Sequence, residues 1–153
     1  MKKVMIGLIS LILVSCSQSE DILEINKQIS YRSGILETHK FEKEKYYESE
    51  SGQVFVSREE IKLVQETTSI EFKEDSFFGV IIEDVPGNVF VKGVWTYPSN
   101  LEGSKKAYTT TNVKSESNHK LVWRMRKGEF KGAYSLNIYL NDKTVKTITF
   151  NVH

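Results

Sequence analysis

The closing stretch of this chain constrains its fold more than any other. In "AYSLNIYLNDKTVKTITFNV", Leu136, Ile138 and Leu140 occupy every second position, and Ile148, Phe150 and Val152 do the same after an Asn141-Asp142 step. Apolar residues at period two line one face of an extended chain, because successive strand side chains point to opposite sides. Asn and Asp both tolerate left-handed backbone, so the pair is an acceptable two-residue hairpin turn. The segment reads as an antiparallel hairpin with one buried face. Val145 falls out of phase on the return strand, which predicts a bulge near Lys146.

The same period recurs upstream. "ISYRSGILETHKF" reads as a strand with Gly34 at a bend or bulge. "KLVQETTSIEF", "FFGVIIEDV" and "NVFVKGVWTY" follow, parted by Glu74-Asp75 and by the turn signal Pro86-Gly87-Asn88. "AYTTTNVKSES" has the composition of a polar edge strand. In "KLVWRMRK", Leu121, Trp123 and Met125 are expected to face inward, with Val122, Arg124 and Arg126 outward. One helical alternative stands beside these strands: Ser57-Arg58-Glu59-Glu60 fits a capping box, with Ile61 and Val64 three residues apart. Seven or eight strands with turns between them point to an all-β, antiparallel β-sandwich over residues 28–153.

The start of the chain is of another kind. Lys2 and Lys3 precede an uncharged run from Val4 to Val14 that is too short to span a bilayer but suits the apolar part of a secretory signal. Leu13-Val14-Ser15-Cys16 then resembles the bacterial lipobox, and Cys16 is the sole cysteine. The resemblance implies a signal peptide at 1–15, cut before a cysteine that carries diacylglycerol, and membrane attachment through acyl chains on Cys16. Two or more chains give stable anchoring where one does not. The address implied is the bacterial cell envelope. Ser17, in place of an aspartate, favours the outer membrane in a cell with two. Residues 16–27 read as lipidated N-terminus and tether. Without residues 1–15 the charge is 19 basic against 20 acidic groups, which offers no global attraction to nucleic acid. No cysteine is left for a disulfide, so burial alone must stabilise the fold.

"KGAYSL", Lys131 to Leu136, resembles the tyrosine corner of immunoglobulin-like sandwiches, in which a tyrosine hydroxyl bonds back to the chain just upstream. Tyr134 would be that tyrosine, with an ordinary strand aromatic as the alternative. Leu136 stands where antibody domains place a cysteine, and Trp123 would add core bulk. The run "ETTSIEFKEDSFFGVIIEDVPGNVFVKGVWTYPS", with the closing hairpin, is similar to a bacterial domain family of unknown function. Its features are Thr67, Thr68 and Ile70, then Phe78-Gly79, Val80 to Ile82, Pro86-Gly87 and Tyr97-Pro98. This resemblance implies an immunoglobulin-like sandwich over about Ile29 to Val152 and assigns no catalytic residues.

Chemistry-bearing groups are sparse. His39, His119 and His153 lack metal-ligand spacing, and no phosphate loop or nucleophile elbow is present. No metal, cofactor or catalytic residue is expected, and the chain reads as a non-enzyme. Glu71, Glu74, Asp75, Glu83 and Asp84 read as solvated loop ends, with a calcium or acid–base site as the alternative. Arg124, Arg126, Lys127 and Lys131 offer contact to an anionic partner, or form a solvated face. Tyr46-Tyr47, Trp95, Tyr97 and Tyr139 raise carbohydrate stacking, although phase puts Trp95 and Tyr97 in the core. The function expected is a lipid-anchored binding or structural module with an envelope protein or glycan as partner. A glycan-binding module is the alternative.

Overall fold

The computed structural model describes residues 17–38, 46–49, 52–55, 61–100, 102–111 and 118–153. After helix α1 (Ser17–Gln28), the strands are β1 (Ser30–Thr38), β2 (Tyr46–Ser49), β3 (Gly52–Phe55), β4 (Ile61–Glu66), β5 (Ser69–Ile70), β6 (Phe77–Glu83), β7 (Val91–Tyr97), β8 (Lys105–Thr111), β9 (His119–Arg124), β10 (Gly132–Leu140) and β11 (Lys143–Val152). Nine of them form two sheets, in the orders β4-β1-β6-β9 and β5-β11-β10-β7-β8. The hairpin β2-β3 stands apart. All pairings are antiparallel except β5 with β11.

That order identifies the fold. β1, β6 and β9 take the places of immunoglobulin strands A, B and E. β7, β10 and β11 take those of C, F and G, with β8 beside β7 as in the variable type. The chain is an immunoglobulin-like β-sandwich, with β4 added outside β1.

The expected hairpin is present. Asn141 and Asp142 have φ of +47° and +63°, the primed geometry that matches strand twist. Ile138 pairs with Lys146 and Tyr139 with Thr144, which leaves Val145 as the bulged residue. Leu136, Ile138, Leu140 and Phe150 are fully buried, facing Phe78, Val80 and Ile82 of β6 and Leu121 of β9 in one core.

Two expectations change, and one of two open alternatives is found. "KLVQETTSIEF" is two strands in different sheets: the Thr67 hydroxyl accepts the Ser69 N–H at 3.0 Å, and this local turn carries the chain from β4 to β5. Alternation within a run cannot signal such a crossing. Ile61 to Val64 is strand, whereas Ser57 to Glu60 lie outside the described residues. The segment read as a tether is helical from Ser17 to Gln28. Ile22 and Ile25, three apart on one helix face, pack with Ile29 against the core, and the Tyr31 hydroxyl donates to Asn26 Oδ1 at 2.5 Å. Glu24, Lys27 and Gln28 are on its exposed side.

Candidate functional site

Chemistry-bearing side chains gather where β9 passes into β10. β9 stops at Arg124, and the Glu129 N–H donates to the Arg126 carbonyl at 3.1 Å to close a turn. Tyr134 then enters the core, and its hydroxyl donates to the Phe130 carbonyl at 2.6 Å. This is the geometry of a tyrosine corner. Burial pushes the phenol well above its ordinary range, so it stays a donor. Phe78 meets the Tyr134 ring edge-on at 5.6 Å, and Trp123 lies 5.4 Å away.

Beside the corner, the Trp123 indole N–H donates to Glu129 Oε2 at 3.0 Å. Burial pushes the Glu129 carboxyl up, opposed by the indole hydrogen bond, the Arg126 backbone and the Arg126 charge. Sequence reasoning missed Glu129, because a lone acid in a polar loop has no period to mark it. The tryptophan that holds the sheets together is Trp95 on β7, fully buried opposite Leu136, rather than the half-buried Trp123. Strand C of antibody domains places its tryptophan likewise.

The basic group is dispersed. Arg124 is the last residue of β9 and grips Asp75 through Nε at 3.1 Å and Nη2 at 2.9 Å, with its guanidinium 5.9 Å from the Phe77 ring centroid. Arg126 lies in the turn beside Glu129, off the strand, so the two arginines do not share a strand face. The pairing ends at Met125, which is fully buried: its N–H donates to the in-register Ser76 carbonyl, but its own carbonyl accepts from the Asp75 N–H, one residue out of step. Lys127 and Lys131 are exposed. Val122 faces outward as expected, yet it is buried on that outer side of its sheet.

The aromatics do not make a row. Trp95 is in the core, Tyr97 lies 4.9 Å from Trp123, and Lys92 sits over Tyr139 at 5.0 Å. The side chains of Tyr46 and Tyr47 lie outside the described residues, as do Cys16 and His39. His119 is buried and His153 exposed. Among the described residues no three His, Cys, Asp or Glu side chains converge as metal ligands, and no helix is long and apolar enough to cross a membrane.

What the fold does assemble is the outer face of the five-stranded sheet. Register puts Lys92, Val94 and Thr96 of β7 beside Tyr139, Asn137 and Ser135 of β10. Ser135 and Thr149 share a hydrogen bond at 3.0 Å, and Thr147 donates to Asn137 Oδ1 at 2.7 Å. Tyr108, 39% exposed, stands next to Val94. The five strands carry Lys92, Lys105, Lys106, Lys143 and Lys146 and no aspartate or glutamate.

No protein-family model matches the chain, and no curated protein matches it. Among solved structures, an immunoglobulin-like protein from Pseudomonas aeruginosa is similar at 17% identity and a TM-score of 0.48, over 82% of this chain and 98% of that one. An alkylpurine DNA glycosylase from Pseudomonas fluorescens, bound to DNA containing an abasic site analogue, is similar at 10% identity and a TM-score of 0.39. That match covers 56% of this chain and 28% of the glycosylase. It is the strand order, rather than either likeness, that makes this chain an immunoglobulin-like domain.

Proposed function

We propose that this protein is a lipid-anchored, non-enzymatic module of the bacterial cell envelope, held by acyl chains on Cys16 and making its contacts through the outer face of the five-stranded sheet. The anchor rests on the lipobox-like Leu13-Val14-Ser15-Cys16, one residue before α1 begins. In a cell with two membranes, Ser17 favours the outer one. The contact role rests on one observation above others: a face of hydroxyls, an amide and tyrosines on paired strands that themselves carry no aspartate or glutamate, with Asp142 of the adjoining turn paired to Lys92. Such a face presents hydrogen-bonding groups already ordered, which lowers the entropy lost on association. The groups with chemical potential are engaged in structure instead, Tyr134 with Phe130 and Arg124 with Asp75.

The anchor is tested by Cys16→Ala, which should abolish acyl labelling and release the domain from membranes; unchanged membrane partition refutes it. The face is tested in cells with a photocrosslinking residue at Thr96 or Thr147, and a control at Glu83 on the other sheet. Adducts from the first two positions and not the third are expected. A second reading, an envelope glycan as partner, is favoured by Tyr108 and the hydroxyl pairs on the same face. Burial of Trp95 removes the strongest stacking group from it. Co-sedimentation with isolated cell-wall glycan, lost on Tyr108→Ala, would favour the glycan over a protein.

A further inference from the structure

Apolar side chains scattered singly over a surface need no explanation. Phe130 is 41% exposed, and what sets it apart is the turn that carries it. The Glu129 N–H donates to the Arg126 carbonyl, so residues 126–129 form a tight turn between β9 and β10. Gly128 takes the third position at φ +84°, where positive φ favours glycine. A Cβ built there would meet no atom within 4 Å, so the turn stands out into solvent. Behind it, the Tyr134 hydroxyl holds the Phe130 carbonyl at 2.6 Å. The backbone is thereby fixed, while the phenyl ring belongs to neither core cluster.

The charges beside the ring are mostly of one sign. In "RKGEFK", residues 126–131, the one acid is Glu129, whose Oε2 accepts the Trp123 indole N–H at 3.0 Å. The Arg126 charge acts on that carboxylate and offsets it. Lys127 and Lys131 remain, both exposed, one on each side of Phe130 in the chain. The adjoining loop before β6 carries Glu71, Lys73 and Glu74, and its Asp75 is taken up by Arg124. Pro98 lies against Gly132 and opens the loop that carries Glu102 and leads to Lys105 and Lys106. This end of the sandwich therefore keeps a positive balance.

An apolar ring between two lysines on a protruding turn is complementary to one kind of surface. Anionic headgroups attract the ammonium groups, and the acyl boundary beneath them accepts the ring. A folded protein partner would need about 800 Å² of this chain, more than a turn of this length offers.

We propose that the β9–β10 turn is a lipid-binding tip, with Phe130 inserted at the interface of an anionic bilayer and Lys127 and Lys131 on its headgroups. Ser30 pairs with Glu83 at one end of β6 and Arg124 with Phe77 at the other, so the turn is remote from the junction of α1 with β1. It is a second lipid contact, distinct from acyl attachment at Cys16.

The test uses the exported chain with Cys16→Ser, which carries no acyl group, so a failure here leaves the anchor untouched. The chain should co-sediment with vesicles of equal parts phosphatidylglycerol and phosphatidylcholine, and not with phosphatidylcholine alone. Salt at about 0.5 M should release it. Phe130→Ser should lower the partition at least about threefold, and Lys127→Ala with Lys131→Ala at least about tenfold. These changes leave the Phe130 carbonyl and the Glu129 carboxylate in place, so the corner persists. Lys120→Ala, at the other end of β9, should bind as the parent does. Absence of vesicle binding, as an acidic protein partner would give, overturns the proposal, and so does equal binding to neutral vesicles. Binding that survives Phe130→Ser unchanged also overturns it, because charge would then act without insertion.

Discussion

Trp95 and Leu136 stand opposite one another on β7 and β10, both without solvent exposure, at the point where the two sheets meet. Antibody domains put half of a disulfide where Leu136 lies, and here aliphatic and aromatic packing takes its place. Leu136→Ala leaves a void between Trp95 and Ile148 that neither sheet can close. A loss of about 3 kcal/mol or more is expected by denaturant titration. A loss under about 1 kcal/mol would mean that the sheets can collapse onto the gap.

Tyr134→Phe removes only the hydroxyl that reaches Phe130. The carbonyl left behind loses its partner, so about 1 kcal/mol or more of stability should go. Thermal unfolding should fall by about 3–5 °C for a domain of this size. An unchanged melting temperature would remove the corner from any account of stability.

Asn141 does two jobs in the β10–β11 turn. Its backbone adopts φ +47°, and its side-chain carbonyl accepts the Phe90 N–H at 2.8 Å. Asn141→Ala loses both and is expected to cost about 2 kcal/mol. Asn141→Gly loses only the hydrogen bond and should cost about half as much. If both variants match the parent by chemical denaturation, the turn is not fixed by this residue.

The half-buried Glu129 carboxyl titrates above its ordinary value, chiefly through desolvation. The folded state therefore holds the proton to higher pH than the unfolded state does. Its contribution is fully present below the unfolded value of about 4.3 and is lost as pH rises through the folded value. Glu129→Gln keeps an acceptor for Trp123 and removes the charge. Its advantage over the parent should thus grow between the unfolded and folded values and level off above. A stability difference constant across a pH series would show that Glu129 is not desolvated.

Asp75 holds Arg124 by two hydrogen bonds, yet its side chain is 65% exposed. Exposed pairs contribute little. Asp75 also sits at φ +62°, which asparagine tolerates and alanine does not. Asp75→Asn should change stability by less than about 0.5 kcal/mol, and Asp75→Ala should cost about 1 kcal/mol more. The reverse order, measured by calorimetry, would make the ion pair the dominant interaction.

The alternation at Leu136, Ile138 and Leu140 announced the fold because one side of that strand is water and the other core. The bulge at Val145 was legible for the same reason, since a phase slip must appear as an extra residue. Where both sides of a strand are covered, the period disappears. Val122 reads as outward beside Leu121 and Trp123 but is buried under neither sheet's core. The crossing at Thr67 and Thr68 was hidden because its cause is a single hydroxyl and a sheet assignment, neither of which leaves a pattern. Arg124 and Arg126 read as neighbours because the period continues through Met125, whose carbonyl is already paired out of step with Asp75.

β11 runs for ten residues, but β5 accompanies it only at Asn151 and Val152. Along the remainder of that rim, Val145 interrupts the regular spacing of amide groups and Lys143 and Lys146 bring positive charge. A strand from a second molecule trying to prolong the sheet would meet mismatched donors and a repelling lysine pair. Molecules at high concentration can then jostle without knitting into fibrils.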